Sequence, residues 1–398
     1  MRRLIGAAAA AITLLAADIS AQERMAIITE SGTPVVVTEL LLTVGPTNEL
    51  AADAGLAHLS ARSVIAPIQM VIDSLGARVS VLPQKDALSI SVIAAPDVWE
   101  VATEKILKAV FQTPPDSVST IRQRQAIVGE LRGRQANPAD AATREADRHF
   151  FGAEHPWGRS TVGTPESVSS LSFADVRTFT REHFTRERAR VAVLGPVDAA
   201  SATEHLRPLL GAVSPAPVEV EPYVSALNRV RRDYNSVTTW VSVSFRFPES
   251  GDEEAIRFIA FLAGEELSFS PSQRSVYNVS TTVEPRIGSG ELRLQVVIPP
   301  EEASDWAERV ESIVPGLLAR SMPADVFAGH LRRYYGDRLI KLLAPEDRAH
   351  AAVRQLLVRG ETDVLVPDPT LLTQDRIRAA ARSLARPTIV LLGPTLEK

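Results

Sequence analysis

Apolar residues along this chain recur with one of two periods, and the order in which the periods change is repeated. Alternating or short continuous apolar runs rich in β-branched residues predict strands at Met25–Ile28, Val35–Val44 and within Arg78–Ile93. Helical spacing predicts helices over about 51–65 and 97–111. A second set follows in the same order: strand at Val237–Phe247, helix over about 253–266, hairpin strands within Ser275–Ile298 and helix over about 301–320. Each set closes on a charged amphipathic helix that runs into a strand ending Leu-Gly-Pro. The first copy is Asp175 to Pro196 (DVRTFTREHFTRERARVAVLGP) and the second is Asp375 to Pro394 (DRIRAAARSLARPTIVLLGP). Helix-entry residues, Ser172 and Thr373, precede both. Copies about half a chain apart imply two similar domains rather than a solenoid, whose periods are far shorter.

Antiparallel strand runs with segregated helices predict an α+β class. The expected architecture is two homologous layered domains, each a mainly antiparallel sheet with helices on one face. Ala212 to Pro222 holds three prolines and no helical period, which makes residues 212–224 a stiff linker. The domains are then expected at 22–211 and 225–398. Residues 1–21 read as a secretory signal peptide: Arg2 and Arg3, the apolar run Leu4 to Ala17, then Ile19-Ser20-Ala21 before Gln22. The apolar run falls short of the roughly 20 residues that span a bilayer, and no cysteine follows it to carry a lipid. The expected product is periplasmic or secreted, with no membrane attachment after cleavage.

Composition narrows the function. A chain of 398 residues exceeds one ordinary core. Hydrophobic residues at 45% and charged residues at 23% suit a globular protein. A net charge of −5 gives no basic footprint for nucleic acid. The absence of cysteine excludes disulfides, thiolate metal sites and a cysteine nucleophile. No Gly-x-Gly-x-x-Gly opens a helix after a strand, and neither Gly-Lys-Ser/Thr nor Gly-x-Ser-x-Gly occurs.

The chemistry worth weighing sits in Gly55-Leu56-Ala57-His58-Leu59-Ser60-Ala61-Arg62, which begins like a His-x-x-Glu-His zinc helix. That motif needs two histidines four residues apart, so that both imidazoles reach one zinc, and a glutamate beside the metal-bound water as general base. Here Ala61 holds the glutamate position and Arg62 the second histidine position. Elsewhere His149, four residues after Glu145, reads as one half of a hydrogen-bonded i,i+4 pair. His155 before Pro156 reads as a turn. The cluster Arg332, Arg333, Tyr334 and Tyr335 reads as a solvated amphipathic helix face rather than a grip on peptide.

Several fragments in a fixed order carry a resemblance: Gly55-Leu56-Ala57-His58; Gly129-Glu130-Leu131 with Asn137-Pro138; His155-Pro156-Trp157-Gly158; Val162-Gly163-Thr164; and Val193-Leu194-Gly195-Pro196. In these the chain resembles the pitrilysin/insulinase family of zinc peptidases, in particular its two-domain bacterial and mitochondrial-processing-peptidase-like members. The resemblance implies that His58 matches the first metal ligand and Glu130 the third. Ala61 then replaces the general base, Arg62 replaces the second ligand, and Arg62 is expected to pair with Glu130. The glycine-rich stretch that the family carries after the histidine pair is missing here. Tyr277 stands where the family places a substrate-holding tyrosine; its companion arginine position holds Ser270, which leaves Arg274 to compensate. The implied function is that of a non-catalytic subunit that needs no cofactor and pairs with a catalytically complete homologous peptidase around peptide substrates. The alternatives are a weakly active endopeptidase, in which case zinc would be the cofactor, and a peptide-binding protein that does not cleave.

Overall fold

A computed structural model describes residues 24–216, 229–269, 276–319, 321–361 and 368–395. Residues 1–21, read above as a signal peptide, residues 217–224 of the expected linker, Ser270 and Arg274 lie outside the described residues. The first half runs through strands β1 (Met25–Thr29) and β2 (Val36–Leu42), helices α1 (Leu56–Ile65) and α2 (Gln69–Ser74), and a hairpin of β3 (Arg78–Pro83) and β4 (Leu88–Ala94). Helices α3 (Trp99–Phe111), α4 (Ser117–Arg134), α5 (Pro138–Phe151), α6 (Pro165–Ser170) and α7 (Phe173–His183) follow, then β5 (Ala189–Gly195) and α8 (Ala199–Leu210). The second half holds β6 (Arg229–Asp233), β7 (Thr239–Pro248), α9 (Glu253–Ser268), β8 (Asn278–Arg286) and β9 (Ser289–Ile298). It ends with α10 (Ala303–Ala319), α11 (Ala324–Lys341), α12 (Pro345–Arg359), α13 (Gln374–Ser383) and β10 (Thr388–Gly393).

The strands form two five-stranded sheets with matching orders, β1-β5-β2-β4-β3 and β6-β10-β7-β9-β8. In each, one edge pair is parallel and the remaining pairs are antiparallel. The mixed α+β class and the mainly antiparallel sheets therefore hold.

The residues group into two compact units, and each draws on both halves of the sequence. One comprises 1–131, 160–219 and 341–365; the other comprises 132–159, 220–340 and 366–398. The central strands explain why. Every residue of β2, β5 and β10 is buried. A strand with no exposed face must be covered on both sides. In the first unit, Leu40, Leu42, Val191 and Val193 pack into a core with Leu59 of α1, Ile106 of α3, Val176 of α7 and Leu206 of α8. The opposite face, with Val37 and Leu194, is closed by Ala349 of α12. Polar contacts fasten that helix: an ion pair of Arg348 with Glu30 at 2.6 Å, a hydrogen bond between His350 Nδ1 and Glu39 Oε1 at 2.9 Å, and an ion pair of Nη1 and Nη2 of Arg354 with Asp86 at 2.8 and 3.0 Å. Glu39 and Asp86 are buried, so these partners offset a desolvation cost of several kcal/mol per ion.

The second unit is built alike. Val241, Val243 and Phe245 of β7 face the main helical layer, with Phe258, Val310 and Ile377 among its residues. Ala141 and Ala142 of α5 cover Leu392 on the other face. Beneath α5, the guanidinium of Arg293 bonds Asp147 at 2.6 Å, Glu291 at 2.7 Å and the hydroxyl of Ser244 at 3.1 Å. The main helical layer thus lies on one face of each sheet as expected, and the structure adds a single alanine-faced helix to the other.

Candidate functional site

The helix expected from about residue 51 begins at Leu56, because Gly55 adopts a left-handed φ of 95°. A Cβ on Gly55 would lie 2.7 Å from the carbonyl oxygen of Val162, and one on Gly163 (φ 79°) would lie 2.3 Å from that of Ala54. The two glycines let the start of α1 rest against the loop before α6. Gly55 has no side chain to cap the helix. The buried Glu49 substitutes, accepting the N–H groups of Gly55 at 3.1 Å and Ala57 at 2.7 Å. Nine of the ten residues of α1 are buried, and Arg62 is the exception. A helix buried on nearly all sides is fixed by packing, so the direction in which Arg62 leaves it is fixed too.

His58 and Arg62, four residues apart, share a face. Arg62 Nη1 donates to both oxygens of Glu130, at 2.9 and 2.8 Å, and Arg62 Nε donates to Gln123 Oε1 at 2.9 Å. The expected pair with Glu130 is present. Gln123 was not singled out in the sequence, although it lies seven residues before Glu130 on α4 and so on the same face. With Glu130 half exposed, the pair contributes at most about 1 kcal/mol; its effect is on charge and geometry.

His58 is buried, and its Nδ1 has no hydrogen-bond partner. Burial pushes the imidazole down from its usual 6.5 to about 4; the positive Arg62 adds to this, and Glu130 partly opposes it. In that window the unfolded chain binds the proton more readily than the folded one. The stability due to neutral His58 is therefore present above about pH 6.5 and lost as pH falls towards 4, on the order of 3 kcal/mol. Urea unfolding of wild type and His58→Gln at pH 7.5 and pH 4.5 should show the wild type losing more; parallel losses would remove the effect.

These residues do not fit a zinc centre. A catalytic zinc takes three protein ligands and a water. Here one imidazole and one carboxylate remain, and both oxygens of that carboxylate are held by a guanidinium, which carries no lone pair to give a metal. The buried methyl of Ala61 can neither take nor give a proton. Among the described residues no group of three or more His, Asp or Glu side chains is arranged to hold a metal ion.

The remaining candidates fall elsewhere. Tyr277 is exposed at the entry to β8, its backbone N–H bonded to Val297 O at 2.8 Å. Arg274 and Ser270 are outside the described residues. His149 Nε2 lies 3.4 Å from Glu145 Oε2, and Glu145 also meets Arg232 at 3.6 Å; neither of the two facing atoms has a hydrogen-bond partner, so the expected hydrogen-bonded pair is not formed. His155 Nδ1 accepts the N–H of Trp157 and shapes the turn read from His155-Pro156. The Arg332–Tyr335 cluster divides. Arg332 and Arg333 are exposed, whereas Tyr334 is buried between Phe258 and Phe261 with its hydroxyl on Glu254, which corrects the reading of the whole cluster as a solvated face.

Residues 170–319 match the family described as the peptidase M16 inactive domain. A Mycobacterium leprae protein described as an uncharacterized zinc protease is 28% identical over 164 residues, which are 39% of this chain and 36% of that protein. The chain thus spans little more than a third of that relative. A peptidase M16 inactive domain from Pseudomonas fluorescens shares the fold with a TM-score of 0.79 at 15% identity, over 94% of this chain and 96% of that one. A chain of complex III2 from Candida albicans does so with a TM-score of 0.78 at 14% identity, over 93% of each chain. In its fold, its matched segment and the order of its motifs around His58 and Glu130, the chain is similar to the pitrilysin/insulinase (M16) family, and the segment it matches there is the one described as the inactive domain.

Proposed function

We propose that this protein is the non-catalytic subunit of an exported M16-type metallopeptidase and pairs with a catalytically complete homologue to enclose peptide substrates. The observation that carries the reading is the Arg62–Glu130 ion pair beside Ala61: the scaffold and two ligand positions, His58 and Glu130, are kept, while base and second ligand are gone. The family's folded frame then serves as wall and contact surface. Strand β3 supports a role in holding peptide. It lies at a sheet edge, pairs with β4 alone among the described strands, and alternates exposed and half-buried residues. An edge of that kind can add an extended peptide as a further strand. The likeness to a chain of complex III2, an assembly, is in keeping with life as a subunit. Export rests on the signal-like residues 1–21.

Affinity purification of the tagged full-length chain from its native host, out of the periplasmic fraction or the medium, tests this. The expected result is one stoichiometric companion, an exported homologue with an intact His-x-x-Glu-His, and chelator-sensitive peptide cleavage by the pair but not by this chain alone. A monomer without such a companion, or cleavage by the isolated chain that is lost in His58→Ala, would overturn it.

A further inference from the structure

We infer that Arg62 is the single residue that closes an otherwise retained metal site, a cation fixed by the chain in the place of a bound one. The inference deepens the reading of the chain as peptidase-like without peptidase chemistry. Three observations carry it. Arg62 is the one residue of α1 that is not buried, and it leaves the helix on the face that also bears His58. Its Nη1 spans both oxygens of Glu130, which leaves that carboxylate no oxygen free of the guanidinium. Gln123 takes Nε, so the guanidinium is held from two positions on α4 and is oriented as well as attracted. A divalent ion entering here would have to displace a bidentate partner and then sit beside a permanent positive charge. A histidine at position 62 would remove both obstacles and supply a third ligand one helical turn from His58, giving the two-histidine, one-glutamate set of a zinc site.

The site would still be imperfect. His58 Nδ1 has no acceptor to fix the ring, and loss of such support weakens metal binding about 10–100-fold. With Ala61 unchanged there is also no base, so binding can be read apart from hydrolysis.

The test is a zinc titration against a chromophoric chelator with metal-free full-length protein. Wild type is expected to take up no stoichiometric zinc. Arg62→His is expected to bind one zinc per chain, and Arg62→His with Glu130→Gln none. Stoichiometric zinc on wild type that is lost in His58→Ala would overturn the inference, and this arm does not depend on the variant folding. So would an Arg62→His chain with wild-type circular dichroism and melting that binds no more zinc than wild type. Neither result bears on co-purification, so the subunit reading stands or falls separately.

Discussion

Arg293→Met is expected to destabilise the second unit by about 3–5 kcal/mol, measured as the shift in the urea midpoint. Arg293 stands on β9, where it meets Asp147 from α5 and Glu291 from its own strand. Burial would lower the guanidinium's affinity for its proton; the Glu291 and Asp147 carboxylates outweigh this and raise it, so the side chain stays charged. Methionine matches much of the stem but leaves Asp147 and Glu291, both buried, without their shared cation. Arg286 lies 3.4 Å from Glu291. A second change separates loss of packing from stranded charge. Arg293→Met with Asp147→Leu should recover a good part of the loss, because replacing a whole buried pair costs less than halving it. If the single variant unfolds within about 0.5 kcal/mol of wild type, the cluster does not fasten α5.

Gly163→Val is expected to cost the first unit a similar amount, about 3–5 kcal/mol. A left-handed φ of 79° alone costs a branched residue on the order of 1–2 kcal/mol. Space adds the rest: a Cβ would come within 2.3 Å of the Ala54 carbonyl oxygen and 2.8 Å of Val168 Cγ2. The first neighbour is backbone and cannot swing aside. It belongs to the turn that launches α1, so relief must come from moving the helix that carries His58 and Arg62. Gly32→Val is a fitting control, since a Cβ there meets nothing within 4 Å. Equal stability of Gly163→Val and Gly32→Val would remove the argument.

Much of the fold was legible because its strands and helices carry unmixed periods. Met25–Ile28 and Val35–Val44 became β1 and β2 within a residue or two, and the repeated ending of a charged helix followed by Leu-Gly-Pro became β5 and β10 at corresponding places in the two sheets. The signal for the helix on the second face was also present. Val191 to Leu194 and Ile389 to Leu392 are continuously apolar, which alternation against a single layer does not require. The helices that answer it, α5 and α12, lie far along the chain and meet the sheets through small alanines, which no local pattern announces. At the site, the loss of base and second ligand was plain from Ala61 and Arg62. The part of Gln123 was not, because an uncharged side chain on an exposed helix face has no signature until its partner's position is known.

The interleaved makeup of the two units also separates the order of synthesis from the order of completion. A chain emerging from the ribosome finishes all five strands of its first sheet with β5, but the helix that covers that sheet's bare side begins only at Pro345. Over the residues made in between, buried-type groups such as Val37, Glu39 and Leu194 have no lid. The nascent first unit is therefore a half-covered intermediate of the kind that domain-wise folding normally avoids. Its last step is a long-range closure rather than a local one.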